Sequence, residues 1–129
     1  MAIQSRILVV EDDPDSQAVV AHILGYLNYP IDIAGDTEQA ITYLAQHPDE
    51  YRAAIIDLAL PGRDGWELLS QIKGTAATAK LPCIAVTAFH TSKTREDAFL
   101  AGFTAYFSKP IEATSFARGL EAVISNTTR

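Results

Sequence analysis

The chain has 129 residues, a length that suits one domain burying roughly two thirds of the surface its unfolded form would expose, so a core needs no disulfide or structural metal. With 48% apolar and 20% charged residues the composition is globular rather than disordered, and no apolar run approaches the roughly 20 residues of a membrane span. The net charge of −6, with the basic residues scattered, works against direct contact with nucleic acid or an anionic membrane surface.

The opening Met1-Ala2-Ile3-Gln4-Ser5-Arg6 lacks the basic start and apolar centre of a signal peptide, so a cytoplasmic location is expected. The single cysteine, Cys83, follows Leu81-Pro82 in an apolar setting and reads as a buried strand residue with no redox role.

Ile7-Leu8-Val9-Val10 is a short apolar run that stops at Glu11-Asp12-Asp13-Pro14, a strand leading into an acidic loop. Asp13 or Asp15 can cap the helix that follows, whose apolar side carries Val19, Val20, Ile23, Leu24 and Leu27 and which should end between Gly25 and Asn28. Pro30-Ile31-Asp32-Ile33-Ala34 alternates apolar and polar residues, as an outer strand would. Asp36, with Gln39 three positions on, has the form of a helix cap, and Ala40, Ile41 and Leu44 form the inner side of the helix it opens.

A second apolar run, Ala53-Ala54-Ile55-Ile56, ends on Asp57 and breaks into Leu60-Pro61-Gly62, so Asp57 stands where a buried strand reaches a surface loop. Taken alone, Asp57 is best read as a turn residue. Asp64-Gly65-Trp66-Glu67 then opens a third helix with Leu68, Leu69 and Ile72 inside. Leu81 to Val86 is a fourth strand with Pro82 near its start, ending at Thr87-Ala88. Thr91 or Ser92 caps a fourth helix through Ala101, and Gly102 suits its left-handed stop. Ala105-Tyr106-Phe107 is a fifth strand ending at Ser108-Lys109-Pro110, and a last helix buries Phe116, Leu120, Val123 and Ile124.

Strand and helix alternate five times with no linker, repeat or low-complexity segment. Such alternation requires right-handed crossovers and a parallel sheet with helices on both faces, and ligands in such folds bind beyond the carboxyl ends of the strands. At those ends the chain places Glu11 and Asp12, Asp57, Thr87 and Lys109. Two carboxylates about 5 Å apart repel by roughly 3 kcal/mol at an effective dielectric of 20, so three together call for a cation. An oxygen-only set suits Mg²⁺ or Mn²⁺ rather than zinc, and His22, His47 and His90 lack ligand spacing and read as surface or packing residues. A divalent ion and Lys109 beside Asp57 make that aspartate a candidate nucleophile toward a phosphoryl donor, with the Thr87 hydroxyl in support.

These residues carry a resemblance. Ile7-Leu8-Val9-Val10-Glu11-Asp12-Asp13, Ile56-Asp57-Leu58-Ala59-Leu60-Pro61-Gly62-Arg63-Asp64-Gly65, Val86-Thr87-Ala88 and Ser108-Lys109-Pro110 resemble, in this order, the signatures of a two-component response-regulator receiver domain of the single-domain kind, over nearly all of residues 1–129. The resemblance implies a flavodoxin-like (βα)5 domain, a doubly wound five-stranded parallel sheet in the order 2-1-3-4-5. It implies that Asp57 accepts phosphate from a phosphohistidine on a histidine kinase or phosphotransfer protein. Asp12, Glu11, Asp57 and the Ala59 carbonyl would hold the metal, and Lys109 and Thr87 would contact the phosphoryl group. It further implies a cis Lys109-Pro110 peptide and a switch in which Thr87 moves toward the phosphoryl group while the aromatic Tyr106 turns inward. The new charge would bias a protein-binding surface for a downstream partner. The chain would then be a regulator rather than an enzyme, catalysing at most its own phosphorylation and dephosphorylation. Ala59 and Phe89 would flank the path of attacking water and so bear on the lifetime of the acyl phosphate, and Thr37 stands where a glycine is frequent.

Three other readings compete. Aspartyl-nucleophile hydrolases carry Asp-x-Asp after their first strand, whereas this loop is Glu11-Asp12-Asp13-Pro14. A flavin carrier of the same topology needs a phosphate loop rich in hydroxyl and glycine residues, and a Gly-x-x-x-x-Gly-Lys nucleotide loop is missing. A receiver-like module acting without phosphorylation would usually have lost an acidic, Thr or Lys position, and all are kept. The signatures suit a free-standing regulator or a receiver cut from a hybrid kinase alike, the initial Met1 favouring the former.

Overall fold

A computed structural model describes residues 6–60 and 65–126. The elements run β1 (Arg6–Val10), α1 (Pro14–Tyr26), β2 (Ile31–Ala34), α2 (Thr37–Gln46), β3 (Tyr51–Asp57), α3 (Gly65–Gly74), β4 (Cys83–Thr87), α4 (Ser92–Ala101), β5 (Ala105–Ser108) and α5 (Ala113–Asn126). All strand pairs are parallel, in the order β2-β1-β3-β4-β5. Among the described residues no helix is long and apolar enough to cross a membrane.

The near-continuous apolar runs of β1, β3 and β4 follow from burial of both sheet faces. Because side chains alternate along a strand, Leu8, Val10, Ala54, Ile56, Cys83 and Ala85 pack with residues of α2, α3 and α4, such as Leu44, Leu68, Leu69 and Ala98. Their neighbours Ile7, Val9, Ala53, Ile55, Ile84 and Val86 pack with α1 and α5 through Leu24, Phe116, Leu120 and Val123. Cys83 is fully buried, as expected, and burial pushes its thiol up to about 12, which keeps it protonated and inert.

The helix starts show which caps the chain uses. Asp13, not Asp15, caps α1 by accepting from the Ser16 N–H at 2.9 Å. Asp36 caps α2, and the Gln39 side chain reaches back to the N–H of Gly35 at 2.8 Å, one residue before the cap. Thr91 caps α4, and Gly102 at φ 119° closes it in the left-handed region that glycine enters without strain. The Pro61-Gly62 turn and the Asp64 cap expected before α3 lie outside the described residues.

Two strands start two residues away from where the sequence places them. β3 begins at Tyr51, two residues before Ala53, because buried Tyr51 pairs with Arg6 and its hydroxyl donates to Asp32 at 2.7 Å. β4 begins at Cys83 rather than Leu81, since Pro82 has no N–H for the ladder, although its carbonyl accepts from Ala54 at 3.0 Å. β2 is an edge strand, as its alternation suggested, and Asp32 is clamped by both Arg6 Nε at 2.9 Å and Nη2 at 2.7 Å. The Arg6 guanidinium, with help from the Tyr51 hydroxyl, holds the Asp32 carboxyl below the usual range.

Candidate functional site

The chain runs from β1 to β2 on one side and returns to β3 on the other, so the carboxyl ends of β1 and β3 flank the point where strand order reverses. Glu11 and Asp12 leave β1 there, Asp57 is the last residue of β3, Thr87 the last of β4, and Lys109 follows β5. Glu11, Asp57 and Thr87 are buried, at 4%, 6% and 2% exposure, while Asp12 is exposed.

One oxygen from each of Glu11, Asp12 and Asp57 lies within 4.8 Å of the others. Lys109 Nζ sits between two of these groups, 2.6 Å from Glu11 Oε1 and 3.1 Å from Asp57 Oδ2. The remaining oxygens also have partners: Glu11 Oε2 accepts from the Asp13 N–H at 3.1 Å, and Asp57 Oδ1 accepts from the Ala59 N–H at 3.0 Å. Burial pushes the Glu11 carboxyl up, against the lowering effect of Lys109 and the Asp13 N–H, and Asp57 adds to the rise. Burial pulls the Lys109 ammonium down, but Glu11 and Asp57 outweigh it and its pKa is raised, so the lysine stays charged.

The backbone fixes this arrangement. The Glu11 N–H donates to the Ala34 carbonyl at 2.9 Å, and the Glu11 carbonyl accepts from Gln17 Nε2 at 2.6 Å. The Lys109 N–H donates to the Thr87 carbonyl at 2.8 Å, tying the ends of β4 and β5 together. The Lys109-Pro110 peptide is cis, as the resemblance implied. The Thr87 hydroxyl accepts from the N–H of Phe89, an exposed residue, at 3.0 Å.

Tyr106 stands beside Ala85 in the sheet, half-buried, and its hydroxyl pairs with His90 Nδ1 at 2.9 Å. Burial raises the Tyr106 phenol above its ordinary value. Both rings line an open cavity of about 340 Å³ with Arg95, Pro110, Glu112 and Ser115, at the edge formed by α4, β5 and α5.

All the anticipated side chains are thus found on one rim, with Tyr106 at the neighbouring edge. Sequence reasoning did not single out Gln17, the His90–Tyr106 pair, or Glu112, which accepts from the Thr114 and Ser115 N–H groups at the start of α5. Glu112 follows Ile111 directly and is a simple cap signal once the helix start is known; Gln17 and His90 act through partners that no local pattern announces.

Three carboxylates and a lysine at the switch point of a 2-1-3-4-5 sheet define a flavodoxin-like α/β domain with an acidic cleft on its carboxyl rim. A family model described as the response regulator receiver domain matches residues 7–121, and the chain belongs to that family, whose members are regulators in two-component signalling. It is 32% identical over 118 residues to response regulator RppA of Synechocystis, covering 92% of this chain and 50% of RppA. It is 33% identical over 105 residues to the transcriptional regulatory protein HprR of Escherichia coli, covering 81% of this chain and 45% of that protein. The chain therefore spans about half the length of these two relatives. Among solved structures, the receiver domain of a Pseudomonas aeruginosa sensor histidine kinase, with a magnesium ion coordinated in its active-site cleft, superposes with a TM-score of 0.84 at 30% identity. That match covers 94% of this chain and 98% of that one.

The donor set here is compatible with such an ion. Its ligand atoms are all oxygens, close enough to share one cation, and three carboxylates against a single ammonium leave negative charge that a divalent ion would neutralise.

Proposed function

We propose that this domain is a phosphoacceptor switch in which Asp57 receives a phosphoryl group from the phosphohistidine of a histidine kinase or phosphotransfer protein. The observation that carries the reading is the convergence of Lys109, Glu11 and Asp12 on a buried Asp57 at the switch point. A buried carboxylate held by an ammonium and a backbone N–H is a nucleophile with fixed aim.

In the transfer, an Asp57 carboxylate oxygen forms a bond to phosphorus as the phosphorus–nitrogen bond of the donor breaks, and the departing imidazole keeps the electron pair and takes a proton from solvent. Lys109 exchanges part of its contact with Asp57 for a phosphoryl oxygen, and the Thr87 hydroxyl donates to another after releasing its bond from Phe89. Glu11, Asp12, Asp57 and the Ala59 carbonyl would hold Mg²⁺, or Mn²⁺ in its place, which supplies positive charge to orient the donor and offset charge on the transferring group. The domain turns over no other substrate and acts as a regulator.

The readout surface on this reading is the edge around Tyr106. A group carrying about −1.5 to −2 charge draws Thr87 inward, the β4–α4 connection follows, and the His90–Tyr106 hydrogen bond at the mouth of the cavity is remade. The same site serves a free-standing regulator and a receiver within a hybrid kinase, and a downstream protein or a further phosphotransfer partner would read the result.

The test is incubation with Mg²⁺ and acetyl phosphate, followed by intact-mass measurement. One phosphoryl group is expected on the wild type and none on Asp57→Asn. An unchanged wild-type mass, or equal labelling of the variant, contradicts the reading.

A further inference from the structure

The three residues of the β1–α1 connection are held unequally. Glu11 is fixed by its N–H to Ala34 and by Lys109, and Asp13 by its capping bond to Ser16 and by its N–H to Glu11 Oε2. Between them, the Asp12 carboxylate makes no hydrogen bond among the described residues, so its position depends on the peptide that joins it to Glu11. The carbonyl of that peptide accepts from Gln17 Nε2 at 2.6 Å.

We propose that Gln17 is a positioning residue of this acidic site: by holding the Glu11 carbonyl, it sets the plane of the Glu11–Asp12 peptide and so the spacing of two carboxylates that would share a divalent ion. The inference rests on the metal-dependent reading above. Gln17 is anchored at its other end, since its own N–H donates to the Asp13 carbonyl at 2.9 Å as part of α1. Its two methylenes let the amide reach back across the first helical turn to the loop. Its place is not explained by packing, because α1 is held to the sheet by Val20, Ile23 and Leu24 while Gln17 is only half-buried. A peptide free to rotate would let Asp12 swing into solvent, and the ordering lost would be charged against ion binding.

The test is Mg²⁺ titration of the folded proteins, followed by the backbone amide resonances of residues 11–13, with urea unfolding in parallel. Gln17→Met keeps length, helix propensity and charge but removes the donor. It should bind Mg²⁺ roughly two- to tenfold more weakly, the range of one hydrogen bond, and the Asp12 amide resonance should move already in the metal-free protein. Gln17→Glu also removes the donor but adds a carboxylate, which charge alone would turn into tighter binding; no tightening is expected. Wild-type affinity and an unmoved Asp12 resonance in Gln17→Met, or tighter binding in Gln17→Glu, would overturn the proposal. So would a loss of folding stability in Gln17→Met with Mg²⁺ affinity intact. A wild type that binds Mg²⁺ but gains no phosphoryl group would refute the phosphoacceptor reading and leave the Gln17 comparison to be decided by its own affinities.

Discussion

Gly65, the first residue of α3, packs against the back of the acceptor strand, and replacing it with alanine should damage both stability and the site. A Cβ built there meets the Asp57 carbonyl oxygen in a severe overlap, with Ile56 Cγ2 and Leu58 Cα each at 2.9 Å. Two of these three atoms are backbone, so rotamer change cannot relieve the contact. The Gly65 N–H also donates to the Leu58 carbonyl at 3.1 Å, which prevents the helix from simply backing away. Overpacking of this kind costs about 1–3 kcal/mol or more, against at most about 1 kcal/mol gained from the helix propensity of alanine. A net loss of about 1–2 kcal/mol should lower the melting temperature by roughly 3–8 °C. Because the displaced backbone belongs to Asp57 and Leu58, Mg²⁺ binding should weaken as well. Gly25 is the control: it lies within α1 with nothing within 4 Å of an added Cβ, so Gly25→Ala should gain about 0.5–1 kcal/mol. Thermal and urea unfolding of the two variants beside wild type decide the matter. Gly65→Ala melting at or above wild type would refute the reasoning.

Two further perturbations test the electrostatics. The Asp32 carboxyl is held low in the folded state by Arg6, so its contribution is present above its unfolded pKa of about 3.9 and is lost as pH falls through the folded value. Asp32→Asn should therefore cost about 1–2 kcal/mol at pH 7, with the difference from wild type vanishing in strong acid; a gap that stays constant in urea melts across that range would count against the clamp. Lys109→Met removes the ammonium from between buried Glu11 and Asp57 and should cost about 3–5 kcal/mol. Added Mg²⁺ should restore more stability to this variant than it adds to wild type, and an equal effect on both would show that lysine and metal do not answer the same charge.

The parts of the fold that are local were legible in the chain. Runs such as Ile7–Val10 and Ala53–Ile56 announce strands buried on both faces, Asp36 and Thr91 sit at the helix starts they suggested, and Gly102 closes α4. The site was legible because every strand except β2 delivers its polar residue at the same end, so strand termini alone gather Glu11, Asp12, Asp57, Thr87 and Lys109. What could not be read depends on contacts between distant segments. The choice of Asp13 over Asp15 follows from where α1 begins: Pro14 takes the first helical position, which leaves Asp13 as the cap. The early start of β3 follows from Tyr51 reaching Asp32 across β1, and the His90–Tyr106 bond joins the β4–α4 connection to β5. Gln17 is a neutral amide on a helix, and only the turn of the acidic loop brings a carbonyl within its reach.

The most direct measurement locates the phosphoryl group itself. Protein treated with acetyl phosphate and Mg²⁺ is reduced with borohydride, which converts an aspartyl phosphate to homoserine, and is then digested and sequenced by mass. Conversion confined to Asp57, and prevented by prior hydroxylamine treatment, is the predicted result. Homoserine at Asp12 or elsewhere, or none at all in protein that binds Mg²⁺, would contradict Asp57 as the acceptor.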